Sequence, residues 1–263
     1  FYGIYQYFFM KISTSMSWVD VNQFPELRTR VYSTLENPNV LAEYLVLVIP
    51  LVLAALWVAK KLRQKVLGTG ILGIMLLCLL LTFSRGAWIG MVLAIFAFAV
   101  IKAPGLAVFV VLLAAVSPSF LPPVVSNRIA SIGSLEDSSN AYRISIWIAV
   151  ARIIRDYWFT GIGLGLMAFT KIYRDYMIAG TYALHSHNLY LQIAVEMGIF
   201  GVIVFLWMAA SGFSRAFTKV KGQHWSSYLL AGVTAALAGH LLHGLFEYIW
   251  YSPRVILAFW MSF

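Results

Sequence analysis

The chain has 263 residues, 61% of them hydrophobic and only 11% charged, with 19 Lys and Arg against 10 Asp and Glu for a net charge of +9. A mean hydropathy of +0.83 excludes an ordinary soluble globular domain and a disordered chain, and indicates a polytopic membrane protein. The one cysteine, Cys78, lies inside an apolar run, so the sequence offers neither a disulfide framework nor a thiolate metal site.

In chain order, seven apolar segments are candidate spans: residues 40–59, 66–83, 87–101, 104–116, 189–210, 226–245 and 255 to the end. Pro50 falls inside the first and predicts a kink, because its ring removes one backbone hydrogen bond. The third and fourth are short for a bilayer, and Lys102-Ala103-Pro104 between them predicts a tight hairpin. The expected fold is an all-α, polytopic membrane helical bundle. The chain starts at Phe1 and stops at Phe263 within an apolar run, so residues 1–263 read as one membrane domain cut from a longer protein.

Lys60, Lys61, Arg63, Lys65, Lys102, Arg215, Lys219 and Lys221 occupy alternate loops, which the positive-inside rule assigns to the cytoplasm. The opposite, outer side then receives residues 1–39, the Ser84-Arg85-Gly86 turn, residues 117–186 and residues 246–254. Its cations are mostly arginine: Arg28, Arg30, Arg85, Arg128, Arg143, Arg152, Arg155, Arg174 and Arg254. Lysine suffices for topology, whereas the planar guanidinium fork suits bidentate phosphate or carboxylate recognition. The same arginines have outer acids to pair with, among them Asp20, Glu26, Asp137 and Asp156. Nucleic acid is not an expected partner, since the outer placement of the basic residues and the absence of a nucleic-acid-binding motif argue against it.

Residues 117–186 are too long for a plain connection and predict a partly helical outer-face loop. Pro118, Pro122 and Pro123 end the fourth span, residues 134–140 form a polar turn, and residues 142–158 read as a surface helix. On it Arg143 and Trp147 are spaced for a cation–π contact, and Arg152 and Asp156 for an ion pair. Gly161, Gly163 and Gly165 follow without a preceding strand, which favours a turn with close backbone approach over a phosphate fingerprint. Tyr173, Arg174, Tyr176 and Tyr182 fit an interfacial aromatic belt or a sugar-facing surface.

His185-Ser186-His187-Asn188 stands where this polar segment meets the apolar residues 189–210, in a chain with few other groups able to move protons near neutral pH. Asn188, Gln192 and Glu196 recur every four residues and form one polar stripe on that helix. An acid at the depth of Glu196 is either functional or a structural hydrogen-bonding group. His240, His243 and Glu247 share a second face, with Glu43 and Arg85 as possible partners; without an HExxH pattern, a polar helix contact is expected there rather than a metal site.

These residues carry a resemblance. His187-Asn188, nine residues, Gly198, two residues and Gly201 reproduce the His–(Asn/Ser/Gln)–x9–Gly–x2–Gly motif of bacterial O-antigen ligases, with Val202-Ile203 where ligases carry Thr-Gly. Arg30 ahead of Glu36-Asn37-Pro38-Asn39, Thr82-Phe83-Ser84-Arg85-Gly86, and Arg143 to Trp147 followed by Gly161–Gly165 occur in the order seen in that superfamily. The chain thus resembles the O-antigen ligase and O-antigen polymerase superfamily over almost its whole length.

The resemblance implies a glycosyltransferase of the cytoplasmic membrane with its site on the outer face. Such an enzyme moves a glycan from an undecaprenyl-pyrophosphate-linked donor to a hydroxyl on a glycan, lipid or protein acceptor, and needs no metal and no cofactor. His187 is then the candidate general base. Arg143, Arg85 and Arg30 are the candidate pyrophosphate contacts, in that order, with Asn188, His185 and Glu196 as further substrate-side residues and His185 as the alternative base. A polymerase of the same superfamily, a transporter of a small anion such as bicarbonate, and a noncatalytic envelope scaffold are the alternatives. The outward clustering of polar groups and the lack of an inverted repeat weigh against transport.

Overall fold

A computed structural model of the protein describes residues 1–10, 29–116 and 120–262. Arg28, Asp20, Glu26 and Pro118 lie outside the described residues. Among those described, the regular structure is entirely helical: α1 Tyr2–Phe9, α2 Pro38–Val58, α3 Leu62–Leu80, α4 Arg85–Lys102, α5 Pro104–Val116, α6 Pro123–Ala130, α7 Ser138–Asp156, α8 Leu166–Tyr176, α9 Leu189–Lys219, α10 Trp225–His243 and α11 Pro253–Ser262, with a 3-10 turn at Ser33–Leu35. Five of the described helices, α2, α3, α4, α9 and α10, are long and apolar enough to cross a membrane. With the all-α architecture, this makes the protein a multi-pass membrane protein. The helix α5, at 13 residues, is shorter than that length. It starts two residues after α4 ends and packs against it, as the Lys102-Ala103-Pro104 break predicts.

The chain forms two compact units. The first comprises residues 1–132, 215–243 and 252–263, and the second residues 133–214 and 244–251.

In the first unit, α10 packs against both α2 and α4. The contact with α4 is made backbone to backbone, because neither Gly90 nor Gly239 has room for a side chain. A Cβ on Gly239 would overlap the Gly90 carbonyl, and one on Gly90 would come within 2.6 Å of the Gly239 carbonyl. Against α2, a Cβ on Gly232 would lie 2.6 Å from the Ala54 Cβ and 2.9 Å from the Pro50 carbonyl. Small residues at crossings let membrane helices approach closely where no hydrophobic force drives them together. Helix α2 runs on through Pro50. It begins at an Asn37 cap, whose side-chain oxygen accepts from the Asn39 and Val40 N–H groups, with Pro38 at the first helical position. Leu41, Leu45, Ile49, Leu79 and Met91 close the core between α2, α3 and α4. Arg30 ties the start of α2 to the end of α3: it donates to the Thr82 carbonyl and to the Asn39 side chain, each at 2.7 Å.

Overpacking a close crossing costs about 1–3 kcal/mol, and more when the obstacle is backbone. Gly239→Val is therefore expected to lower the thermal unfolding midpoint of the detergent-solubilised protein by several degrees. Gly73→Ala, on α3 with open space around the position, leaves it unchanged or slightly raised.

Candidate active site

The second unit is built on α7 and α8. Asp137 caps α7 by accepting from the Asn140 N–H at 3.1 Å, which starts this helix four residues before the 142–158 helix expected from sequence. Ile146, Ala149, Val150 and Ile153 of α7 and Phe169 and Tyr173 of α8 are fully buried together with Val195 of α9. The buried Tyr173 satisfies its hydroxyl on the Thr181 carbonyl, which fastens the chain leading into the histidine segment.

That segment is held from every side. Ser186 is fully buried; its N–H donates to the Gln192 side-chain oxygen at 2.7 Å and its carbonyl accepts from the Trp147 indole at 3.0 Å. Trp147 thus has a structural task other than stacking on Arg143. Asn188 caps α9 through its side-chain oxygen, which accepts from the Tyr190 and Leu191 N–H groups, while its amide donates to the Leu245 carbonyl at 2.8 Å. The Leu189 N–H donates to the Gly244 carbonyl, so residues 244–245 are stitched directly to the motif. His187, between these fixed points, adopts a left-handed backbone conformation with φ 51°. Non-glycine residues hold that conformation when surrounding contacts impose it, as at functional sites.

The imidazole of His187 meets Glu247. Its Nδ1 lies 2.6 Å from the Glu247 Oε1, and Arg143 approaches the other carboxylate oxygen at 3.2 Å. Burial works against ionisation of Glu247, but its contact with His187 and the nearby charge of Arg143 outweigh it and hold the carboxyl well below its ordinary range. An ionised carboxylate only accepts, so Nδ1 must carry a proton in this contact, and in the neutral imidazole the lone pair is then on Nε2. Arg143 donates a second N–H to Ser139 Oγ, and its buried Nε has no hydrogen-bond partner among the described residues. The expected Arg143–Trp147 stack is thus replaced by the ion pair with Glu247. Asp156 pairs with Arg155 and Tyr176, not with Arg152.

His185 differs from its neighbour. Its Nδ1 accepts from the His187 N–H at 3.2 Å, and burial, helped by the nearby His187, pushes its pKa down to about 3. A ring that stays neutral through the physiological range, with one nitrogen already bonded to backbone, is poorly suited to collect a proton. His185, His187 and Glu247 also bring potential metal-ligand atoms within 4.8 Å of one another. In the structure the His187 Nδ1 is bonded to one Glu247 oxygen, Arg143 pairs with the other, and the His185 Nδ1 accepts from backbone, so the three groups form a hydrogen-bonded network.

The polar stripe on α9 forms as the spacing predicts. Gln192 donates to Glu196 at 3.0 Å, and Glu196 also accepts from the Gly165 N–H at 3.1 Å. Below Glu196 the helix breaks at Gly198, with φ 63° and ψ −163°. The carbonyls of Val195 and Glu196 accept instead from the Ile162 and Gly163 N–H groups, and the Ile199 N–H finds the Trp158 carbonyl. The glycine turn thus replaces the helical hydrogen bonds lost at the break. A Cβ on Gly161 would overlap the Glu196 carbonyl, the close approach its sequence suggests. The two motif glycines have physical reasons of their own: Gly198 adopts the break, and Gly201 leaves room for the Met197 side chain folded over it.

Of the candidate residues, His187, His185, Arg143, Asn188 and Glu196 belong to the second unit, whereas Arg85 and Arg30 belong to the first. Both of the latter are buried, with Arg85 donating to the Ser131 hydroxyl at 2.6 Å and to its carbonyl at 3.1 Å. The grouping of Glu247 with His240 and His243 is corrected: α10 ends at His243, and Glu247 sits in the following turn, turned to His187. Gly244 directly after His243 is the sequence signal for that helix end.

The architecture and this site define a multi-pass membrane protein with a His–carboxylate–Arg constellation at the head of a broken helix. The chain belongs to the O-antigen ligase family, whose profile matches residues 70–206, just over half of its length. That family is part of a glycosyltransferase-like enzyme superfamily. The matched segment contains Arg85, Arg143, both histidines and the glycine motif; Arg30 and Glu247 lie outside it. Comparison with curated proteins gives no match.

Between pH 6.5 and about 3 the unfolded chain takes up a proton that the folded His185 refuses. The stability associated with this group is fully present above pH 6.5 and falls as pH drops through that window. Between pH 7 and 5 the wild type should lose on the order of 1–2 kcal/mol more than His185→Phe, the range allowing for partial exposure of the ring. Denaturant titrations of the solubilised protein at the two pH values measure the difference.

Proposed function

We propose that this protein transfers a glycan from an undecaprenyl-pyrophosphate donor to an acceptor hydroxyl at the outer face of the cytoplasmic membrane, with His187 as general base. The observation that carries the reading is the 2.6 Å contact between His187 Nδ1 and Glu247. It leaves Nε2 as the basic atom and places a carboxylate where the imidazolium charge develops. Nε2 takes the proton from the acceptor hydroxyl while that oxygen forms a bond to the anomeric carbon. The bond from that carbon to the pyrophosphate oxygen breaks, its electron pair leaves with undecaprenyl pyrophosphate, and the anomeric configuration inverts.

Pyrophosphate is already a good leaving group, so the chief need on that side is charge neutralisation, which arginines and no required metal would supply. Arg143 is the first choice, since its ion pair with Glu247 leaves the buried Nε without a described partner. Arg85 and Arg30 are the further candidates. Asn188 and Glu196 serve the site by position, the first by capping α9 and the second by anchoring the glycine turn. The polymerase reading uses the same chemistry on a growing chain as acceptor; Val202-Ile203 in place of Thr-Gly favours it.

The test is transfer by the purified chain in nanodiscs, with both substrates extracted from host cells lacking this protein. His187→Ala is expected to reduce turnover by about 10²–10⁴-fold at unchanged folding, the usual worth of a positioned base. Glu247→Gln should lower kcat by about 10²-fold or more with donor KM little changed. Undiminished turnover in His187→Ala would remove the assignment, and ion flux without transfer would favour a transporter.

A further inference from the structure

The proton-transfer chemistry leaves one feature of the second unit unused: a run of four rings. The ring centroids of Tyr251 and His185 are 4.7 Å apart, those of His185 and His187 4.2 Å, and those of His187 and Tyr142 5.8 Å. The two ends of the run are open, with Tyr142 40% and Tyr251 41% exposed. An interfacial belt would explain tyrosines whose hydroxyls reach outward to headgroups or water. Tyr142 does not do this. Its hydroxyl donates to the Tyr182 carbonyl at 2.7 Å, so the phenol is fastened to the protein and the ring is held beside the imidazole.

We propose that Tyr142 and Tyr251, the two ends of this run with His187 and His185 between them, form an acceptor subsite that stacks a pyranose ring. The inference rests on the reading of His187 as the base. A pyranose has a face of C–H bonds that packs on aromatic carbon and a rim of hydroxyls. Stacked on a tyrosine of this run, it brings a rim hydroxyl beside the His187 imidazole. The acceptor class is therefore a sugar-terminated glycan or glycolipid, not a protein side chain. His185 takes part as an uncharged ring, which fits its bonding to the His187 N–H. A protonated imidazolium there would repel the charge forming on His187.

The experiment uses the full chain in nanodiscs and the unmodified acceptor that accumulates in host cells lacking this protein. Tyr142→Leu and Tyr251→Leu keep apolar bulk but remove the aromatic face, and each should raise acceptor KM at least tenfold while donor KM stays within threefold. Tyr251→Phe keeps the face and should hold acceptor KM within threefold of wild type. Direct binding of the same acceptor to His187→Ala supplies a readout independent of turnover, and adding Tyr251→Leu should weaken it at least tenfold. If His187 is not the base, turnover survives in His187→Ala, yet binding still follows the rings. The subsite is overturned if acceptor KM and binding do not move in the Leu variants, if Tyr251→Phe loses as much as Tyr251→Leu, or if donor KM moves instead.

Discussion

A buried carboxylate must be paired, and the second unit is organised around the pairing of Glu247. Its two oxygens divide the work, one taking the His187 Nδ1 and the other Arg143, while the backbone N–H of Tyr248 adds a third donor at 3.2 Å. Removing one partner of such a group leaves a charge in a poor medium, which makes the three side chains interdependent. The consequence for chemistry is the tautomer: in the neutral imidazole an acceptor at Nδ1 places the lone pair on Nε2. The left-handed backbone at His187 is the local cost of aiming the ring, and it is offset by the hydrogen bonds of Ser186 and Asn188 on either side.

The second constraint is the broken helix. A continuous α9 would satisfy its own carbonyls and leave the glycine turn with nothing to bind. With the break at Gly198, the carbonyls of Val195 and Glu196 are released to residues 162–163, and the Glu196 side chain reaches Gly165. Irregular backbone in a membrane protein persists where protein groups take over the lost hydrogen bonds. The motif glycines therefore link the helix that carries the histidine segment to the turn that follows α7, the helix that carries Arg143. The spacing from His187 to Gly201 thus has a mechanical explanation.

Much of this was legible in the sequence. Composition and apolar length give the membrane class and the positions of the main helices, because those depend on local chemistry alone. The Asn188–Gln192–Glu196 stripe follows from helical periodicity and is bonded as that periodicity implies. Glu247 was hidden, since its partner is 60 residues away in the chain and its spacing from His240 and His243 mimics a helix face. The local signal was Gly244, which stops the helix before that face can form. Arg143 illustrates the same limit: a Trp four residues on suggested stacking, while a long-range carboxylate and a backbone carbonyl claimed the two side chains. The break at Gly198 was also concealed, because one glycine in an apolar run reads as a tolerated helix residue unless the turn that covers it is known.

The central claim is that Glu247 fixes His187 with its proton on Nδ1 and a lone pair on Nε2. Nitrogen-15 NMR of histidine-labelled protein in nanodiscs, with His187 assigned by its loss in His187→Ala, reads this directly. A protonated Nδ1 and a bare Nε2 are expected where the His187 ring is neutral, and a mixture of tautomers in Glu247→Gln. A protonated Nε2 with a bare Nδ1 in the wild type would contradict it.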